Sequence, residues 1–317
     1  MNQNNKIATV FGGTGFVGRQ VVRELARAGY TVKVATRVPE RAYFLKPHGT
    51  IGQVVPLACN YRDENSVRRA VAGASCVVNL IGILFEKRGS KFRFAHTELP
   101  EIIAKACRQE GIERFVHISA LGIEKSKSKY AQSKMAGEQA VLKAFPAAVI
   151  LRPSVIFGPD DNFFNMFAEM SRFLPVLPLI GGGRTKFQPC YVGDVADAVM
   201  AALRLPVEGN IFELGGPEVL SFREIFQRLF EQTGRKRRLI ALPWGVAKID
   251  AAFLGLLPKP PLTVDQVESL KTDSIVAANA KGFADLGVKP VSMDTILPRY
   301  LTRYRAGGVF AGESKRA

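Results

Sequence analysis

Ile7-Ala-Thr-Val-Phe-Gly-Gly-Thr-Gly-Phe-Val-Gly18 decides how this chain folds. The apolar run Ala8–Phe11 reads as a strand, and Val17–Ala28 after it has the spacing of a helix. Gly12, Gly15 and Gly18 stand three apart in the turn between them. Glycines at that spacing also occur as plain turn chemistry, but a strand before and a helix behind point to a dinucleotide cradle. Gly12 permits the tight turn, Gly15 lets backbone approach a diphosphate, and Gly18 lets the helix pack on the strand. The free N–H groups of the helix start then face the anion. Gly12, Thr14, Gly15, Phe16, Val17 and Gly18 are therefore the candidate cofactor loop.

Further strands are expected at Thr31–Thr36, Gln53–Leu57, Cys76–Leu80, Arg114–Ile118 and Ala148–Leu151. Helical patterns occupy Ser66–Ala72, Pro100–Glu110 and Lys134–Ala144. Near-continuous apolar strands alternating with helices predict a doubly wound, parallel α/β sheet of the Rossmann type. From Pro153 onward Pro and Gly recur and that rhythm is lost. The expected division is a Rossmann domain over residues 1–152, with 186–214 returning to it. A smaller irregular α/β domain takes 153–185 and 215–303, and 304–317 reads as a frayed tail.

Where an NAD-preferring second strand carries an acidic residue for the ribose 2′-hydroxyl, this one ends in Thr36-Arg37. The guanidinium fork of Arg37, helped by Arg19 and Arg41, suits a 2′-phosphate, so NADPH or NADP+ is the predicted cofactor. Tyr130 and Lys134 lie one helical turn apart on one face. A neighbouring ammonium is expected to lower the tyrosine pKa and make it an acid/base. An ordinary surface Tyr–Lys pair has the same spacing; the preceding strand, ending Val116-His-Ile-Ser119, favours the functional reading.

These residues resemble the extended short-chain dehydrogenase/reductases, with Val78-Asn-Leu-Ile-Gly82, Tyr130/Lys134 and Leu151-Arg-Pro153 in that family's order. Three longer stretches resemble one branch of it, the dehydrogenase-like accessory subunits of respiratory complex I. They are Arg152-Pro-Ser-Val-Ile-Phe-Gly-Pro-Asp-Asp-Asn-Phe-Phe164, Pro178–Val195 and Tyr300–Gly308. The resemblance implies that Asn79, Leu80, Ile81 and Gly82 line the nicotinamide ribose and that Lys134 bonds its hydroxyls. It places Asn60 and Tyr61, with Arg62 and Asp63, at the adenine, and adds Pro153 and Val155 to the cofactor set. Tyr130, Lys134 and Ser119 become a vestigial catalytic set. If Ser119 starts the family's serine motif, its carbonyl-polarising position is Leu121, which has no hydrogen-bond donor. Losing such a donor removes about 3 kcal/mol of transition-state stabilisation. The branch implies a tightly held NADPH without turnover and other complex I subunits as partners, with no small-molecule substrate. It implies a peripheral place on the cytoplasmic face of a bacterial inner membrane, or the matrix face in a mitochondrion. The alternative is a free NADP-dependent reductase or epimerase using Tyr130 and Lys134.

Composition sets the outer bounds. The 317 residues are 47% hydrophobic and 23% charged, a globular profile that excludes disorder and a collagen-like rod. Four scattered cysteines and three histidines form no metal-ligand pattern, so no metal is expected. Met1–Asn5 is short and polar, which predicts neither a secretory leader nor an Arg-rich transit segment. The net charge of +16 concerns partners. With no recognition helix and no aromatic–basic interleaving, nucleic acid is excluded as a partner. Arg235-Lys-Arg-Arg238 reads either as a solvated turn or as a contact for anionic lipid headgroups. Phe163, Phe164 and Phe167, with the stiff apolar stretch Phe173–Ile180, are expected in the small domain's core, the alternative for that stretch being an interface. Trp244–Leu257, with Ile249, Phe253, Leu256 and Leu257 on one face, is expected to be a packed amphipathic helix, the alternative being a helix buried in a membrane surface.

Overall fold

The computed structural model describes residues 6–87, 89–204, 211–255, 257 and 260–308. Its first half runs β1 (Ile7–Phe11), α1 (Phe16–Arg27), β2 (Thr31–Thr36), β3 (Val54–Ala58), α2 (Glu64–Val71), β4 (Cys76–Asn79), α3 (Leu99–Gln109), β5 (Arg114–Ile118), α4 (Lys129–Ala144) and β6 (Val149–Pro153). The second half opens with β7 (Ile156–Phe157), α5 (Phe164–Phe173), β8 (Val176–Ile180), β9 (Lys186–Phe187), β10 (Cys190–Tyr191) and α6 (Val192–Ala202). It continues with β11 (Ile211–Leu214), β12 (Leu220–Ser221), α7 (Phe222–Thr233), β13 (Arg238–Leu242), α8 (Trp244–Leu254) and α9 (Val264–Ser269).

Seven strands form one sheet in the order β11-β6-β5-β4-β1-β2-β3, and every pair is parallel. Both faces are covered, which explains why β4 is buried along its whole length. On one face α1 buries Gly18, Val21, Val22, Leu25 and Ala26, the i, i+3, i+4, i+7, i+8 stripe of an amphipathic helix. It packs there with Val195, Val199 and Ala202 of α6. The other face carries Val67, Ile103, Cys107 and Val141 of α2, α3 and α4. Strand order reverses at β1, with β2 and β3 on one side and β4 on the other. That reversal opens a crevice beyond the strands' carboxyl ends, where ligands of such sheets sit.

Phe157, Phe164, Leu177, Leu179, Phe222 and Phe226 form a separate core for the small domain, against which Phe163 and Phe167 pack. The parallel pair β8–β13 edges it, with Arg238 opposite Val176 and Leu242 opposite Ile180. The region is not one continuous 215–303 piece, because Phe283 and Leu286 pack into the core beside α1 and α6. The tail reading fails at its first residue: Tyr304 is buried, and its carbonyl accepts the Arg235 guanidinium at 2.9 Å. The rest of that reading, residues 309–317, lies outside the described residues.

The largest departure concerns α8. It turns Ala247 and Ala251 inward and leaves Ile249 60% and Phe253 69% exposed, with Val246 and Leu257 also exposed. The predicted packed face is therefore the open one, because alanines suffice to pack against Ile180 and Val267. Leu256 lies outside the described residues.

Candidate functional site

The glycine loop has the geometry its spacing predicts. Gly12 adopts φ +80°, and Gly15, the residue before α1, donates its amide to Gly12 O at 3.0 Å. A Cβ on Gly18 would stand 2.2 Å from that same carbonyl and 2.7 Å from Gly13 Cα. Only hydrogen fits at position 18, so the helix can enter directly under the turn. The first turn of α1 carries no acidic residue, leaving its positive end to a ligand. Thr14, Phe16 and Val17 complete the loop, and the Phe16 ring packs beside Gly158.

At the neighbouring strand ends, Arg37 is exposed with its guanidinium 5.8 Å from the Tyr61 ring centroid. Arg41 is exposed as well. Arg19 is committed elsewhere: it pairs with Asp160 at 2.9 Å and lies over Phe44. Asn60 is exposed, but its carboxamide oxygen accepts the Arg62 amide at 3.1 Å, a local turn that spends its acceptor. Tyr61 likewise spends its hydroxyl on Ala35 O at 2.8 Å, leaving the ring as its available surface. Arg62 stacks over Phe94 at 4.4 Å.

The reacting end is built on α4, which starts at Lys129, five residues before the predicted helix. Tyr130 and Lys134 thus share one helix. Lys134 is buried and donates to Ile118 O at 3.1 Å. Burial lowers its pKa to about 8, with Glu138 opposing that shift. Tyr130 is half-buried, its ring edge-on to Phe92 and His96. Burial pushes its phenol up to about 12, opposite to the lowering expected from the ammonium. Desolvation penalises the tyrosinate, and no lowering by Lys134 offsets it. Leu121 is buried, and its amide donates to Pro153 O at 2.9 Å. Pro153 is buried and Val155 partly so at the end of β6.

Asn79, already in the strand-four motif, and two histidines that the motifs did not single out, His96 and His117, hold this end together. Asn79 Oδ1 accepts the Ile81 amide at 3.1 Å, and His96 Nε2 accepts the Ile83 amide at 3.0 Å. The loop carrying Leu80, Ile81 and Gly82 is therefore clamped at two points. A Cβ on Gly82 would reach Lys134 Nζ at 3.4 Å, so that loop and α4 meet. His117 Nδ1 bonds Asn79 Nδ2 at 3.0 Å, from the strand position directly opposite. Burial first, then the Lys134 charge, lower His96 to about 3 and His117 well below its ordinary value, so both rings are neutral. His117 was legible at strand spacing from Ser119, two residues on. His96 was not, because it sits in a π-helical turn over Arg93–Glu98 that no apolar period announces.

Two polar atoms here are buried with no hydrogen-bond partner, Ser119 Oγ and His117 Nε2. An unmet buried polar atom costs about 1–3 kcal/mol, so such atoms mark places where a ligand or water supplies the partner. With the glycine cradle, the free helix start and the exposed Arg37, they make a donor set that fits a nicotinamide dinucleotide.

Residues 8–215 match the NAD dependent epimerase/dehydratase family. The chain is 39% identical over 316 residues to the mitochondrial NADH dehydrogenase (ubiquinone) 1 alpha subcomplex subunit 9 of Arabidopsis thaliana, covering 95% of this chain and 79% of that one. It is 30% identical over 240 residues to a ceramide reductase of Caulobacter vibrioides, covering 75% and 74%. It superposes on the NADPH-dependent quinone oxidoreductase QOR2 of Escherichia coli, solved with NADPH, at a TM-score of 0.73. That alignment is 16% identical and covers 93% of this chain and 99% of the other, a likeness of fold alone.

Proposed function

The chain belongs to the NAD dependent epimerase/dehydratase family, and from that premise we propose that it is an accessory subunit of NADH:quinone oxidoreductase that holds NADPH without turning it over. The near-full-length match to the plant subunit carries this reading. Gly12–Gly18 hold the diphosphate, Arg37 takes the 2′-phosphate, and Tyr61 and Arg62 flank the adenine. Leu80–Gly82 and Lys134 hold the nicotinamide ribose, with Pro153 and Val155 beside it. NADPH supplies a hydride when bound. One feature argues against its use here: Leu121, apolar and buried, stands at the polarising position.

The partners are other subunits of the complex on its peripheral arm, and anionic lipid headgroups close by. Among the described residues no helix is long and apolar enough to cross a membrane. The open face of α8 and the groove of about 460 Å³ lined by Pro175, Val176, Lys236, Arg237 and Arg238 suit a peripheral contact on the cytoplasmic or matrix face. The deciding experiment purifies the tagged full chain from native membranes in mild detergent. NADH:quinone oxidoreductase subunits and bound NADPH should come with it; a chain recovered alone would overturn the reading.

A second reading, a free NADP-dependent reductase, draws on the bacterial ceramide reductase match and the Tyr130/Lys134 helix. It predicts turnover on a carbonyl substrate that Tyr130→Phe abolishes.

A further inference from the structure

The carboxylate of Asp265 reaches back to the start of α4, where it accepts the backbone amides of Lys129 at 2.7 Å and Tyr130 at 3.0 Å. Ser128 Oγ takes the amide of Ala131 at 3.1 Å. A helix start leaves its first N–H groups without intrahelical partners, and here side chains meet three of them, two through Asp265. The same carboxylate lies in the first turn of α9, behind a capping box of Thr263 and Gln266. One negative charge therefore serves the positive ends of two helices, and both favour it.

The segment after α9 runs across the carboxyl ends of β5 and β6. A Cβ on Gly122, just past β5, would stand 2.8 Å from Asp273 O. Ser154, just past β6, donates its hydroxyl to Ser274 O at 2.8 Å. The Asp273 carboxylate accepts the Lys186 amide at 2.8 Å, which ties the far side to β9. Ligands of a doubly wound sheet approach from those strand ends.

We propose that Asp265 is a positioning residue and latch: it holds α9 and the following segment as a cover over Tyr130, closing the reacting end of the site to small carbonyl compounds. The cover comes from the small domain, which is how the chain keeps Tyr130 and Lys134 on one helix while excluding a substrate. This deepens the cofactor-holding function and rests on it for the meaning of Tyr130.

The test compares the full chain with its Asp265→Ala and Asp265→Asn variants, by amide hydrogen exchange and by tetranitromethane nitration mapped by mass spectrometry. In Asp265→Ala, exchange at the Lys129 and Tyr130 amides should rise on the order of tenfold, as for loss of a charge-assisted bond. Nitration of Tyr130 should rise with it, while the rest of α4 and the sheet stay protected. Asp265→Asn keeps one acceptor oxygen and should fall between. Unchanged exchange and nitration would sink the latch; so would a uniform rise through α4 and the sheet in both variants, which would make Asp265 a stability residue only. NADPH binding, followed by fluorescence on the same samples, separates the two claims. A wild-type chain that fails to bind NADPH refutes the cofactor reading and leaves the exchange result to decide the latch.

Discussion

Arg152 and Glu138 meet through two bonds, Nε to Oε1 at 2.9 Å and Nη2 to Oε2 at 2.6 Å, with side chains only 7% and 3% exposed. The pair ties β6 to α4 one turn beyond Lys134. Glu124 bonds the same guanidinium, and Glu213 of β11 lies 3.7 Å from it. Removing one partner strands a buried charge. Arg152→Ala should cost about 3–5 kcal/mol in guanidinium unfolding, whereas the double change Arg152→Met, Glu138→Leu should cost less. A double variant as unstable as the single one would show that the pair is not the source of the loss.

Gly18→Ala tests the cradle. Its methyl would collide with Gly12 O and Gly13 backbone, so the turn must open. Cofactor should be lost from the purified protein, read by its absorbance and fluorescence, along with part of the fold's stability. Gly29→Ala is the control: its φ of +84° strains a side chain but meets no atom within 4 Å, so cofactor binding should persist.

Arg37 carries the choice between the two nicotinamide dinucleotides. Its guanidinium is exposed beside the Tyr61 ring, open to a phosphate. Arg37→Asp should lower NADPH affinity by about tenfold or more and improve NADH, as for a lost charge-assisted pair. An unchanged affinity ratio in fluorescence titration would locate 2′-phosphate recognition elsewhere.

His96 sets an acid limit. Its folded pKa is lowered from 6.5 to about 3, so between those values the unfolded chain binds a proton that the folded chain refuses. Stability therefore falls as pH drops through that window, by up to about 1.4 kcal/mol per pH unit. His117 acts in the same direction. His96→Asn keeps an acceptor for the Ile83 amide and should flatten the loss, measured as unfolding midpoints at pH 5 and 7.

The open face of α8 and the bases before it should act together on a membrane surface. Ile249→Ser with Phe253→Ser, or glutamine at Arg237 and Arg238, should each weaken sedimentation with anionic phospholipid vesicles and leave NADPH binding intact. Equal binding to zwitterionic vesicles by the wild-type chain would remove the charge from the account.

The Rossmann half was legible because its strands are apolar along their length and its first helix shows an unbroken stripe from Gly18 to Ala26. Arg114–Ile118 is a strand in both readings, since local pattern and burial agree there. The clamp on Leu80–Gly82 was not legible. His96 and Asn79 act through backbone amides, and a side chain that accepts from a peptide N–H leaves no pattern of residue types. The Tyr130 phenol was misread for a related reason: spacing puts an ammonium nearby, but the sign of the shift depends on how much water the fold removes.

By itself the sequence determined the parallel sheet, the glycine cradle and the one-turn spacing of Tyr130 and Lys134. Their signals lie within a few residues of chain, as apolar runs, a glycine spacing and one helical turn, where periodicity and chain stiffness decide. Only the tertiary structure decided that α8 shows its large side chains outward, that two neutral histidines border Lys134, and that Asp265 closes over α4. Each of those joins residues tens to more than a hundred positions apart. Their energies come from desolvation and from the ends of helices, which exist only once the chain has packed.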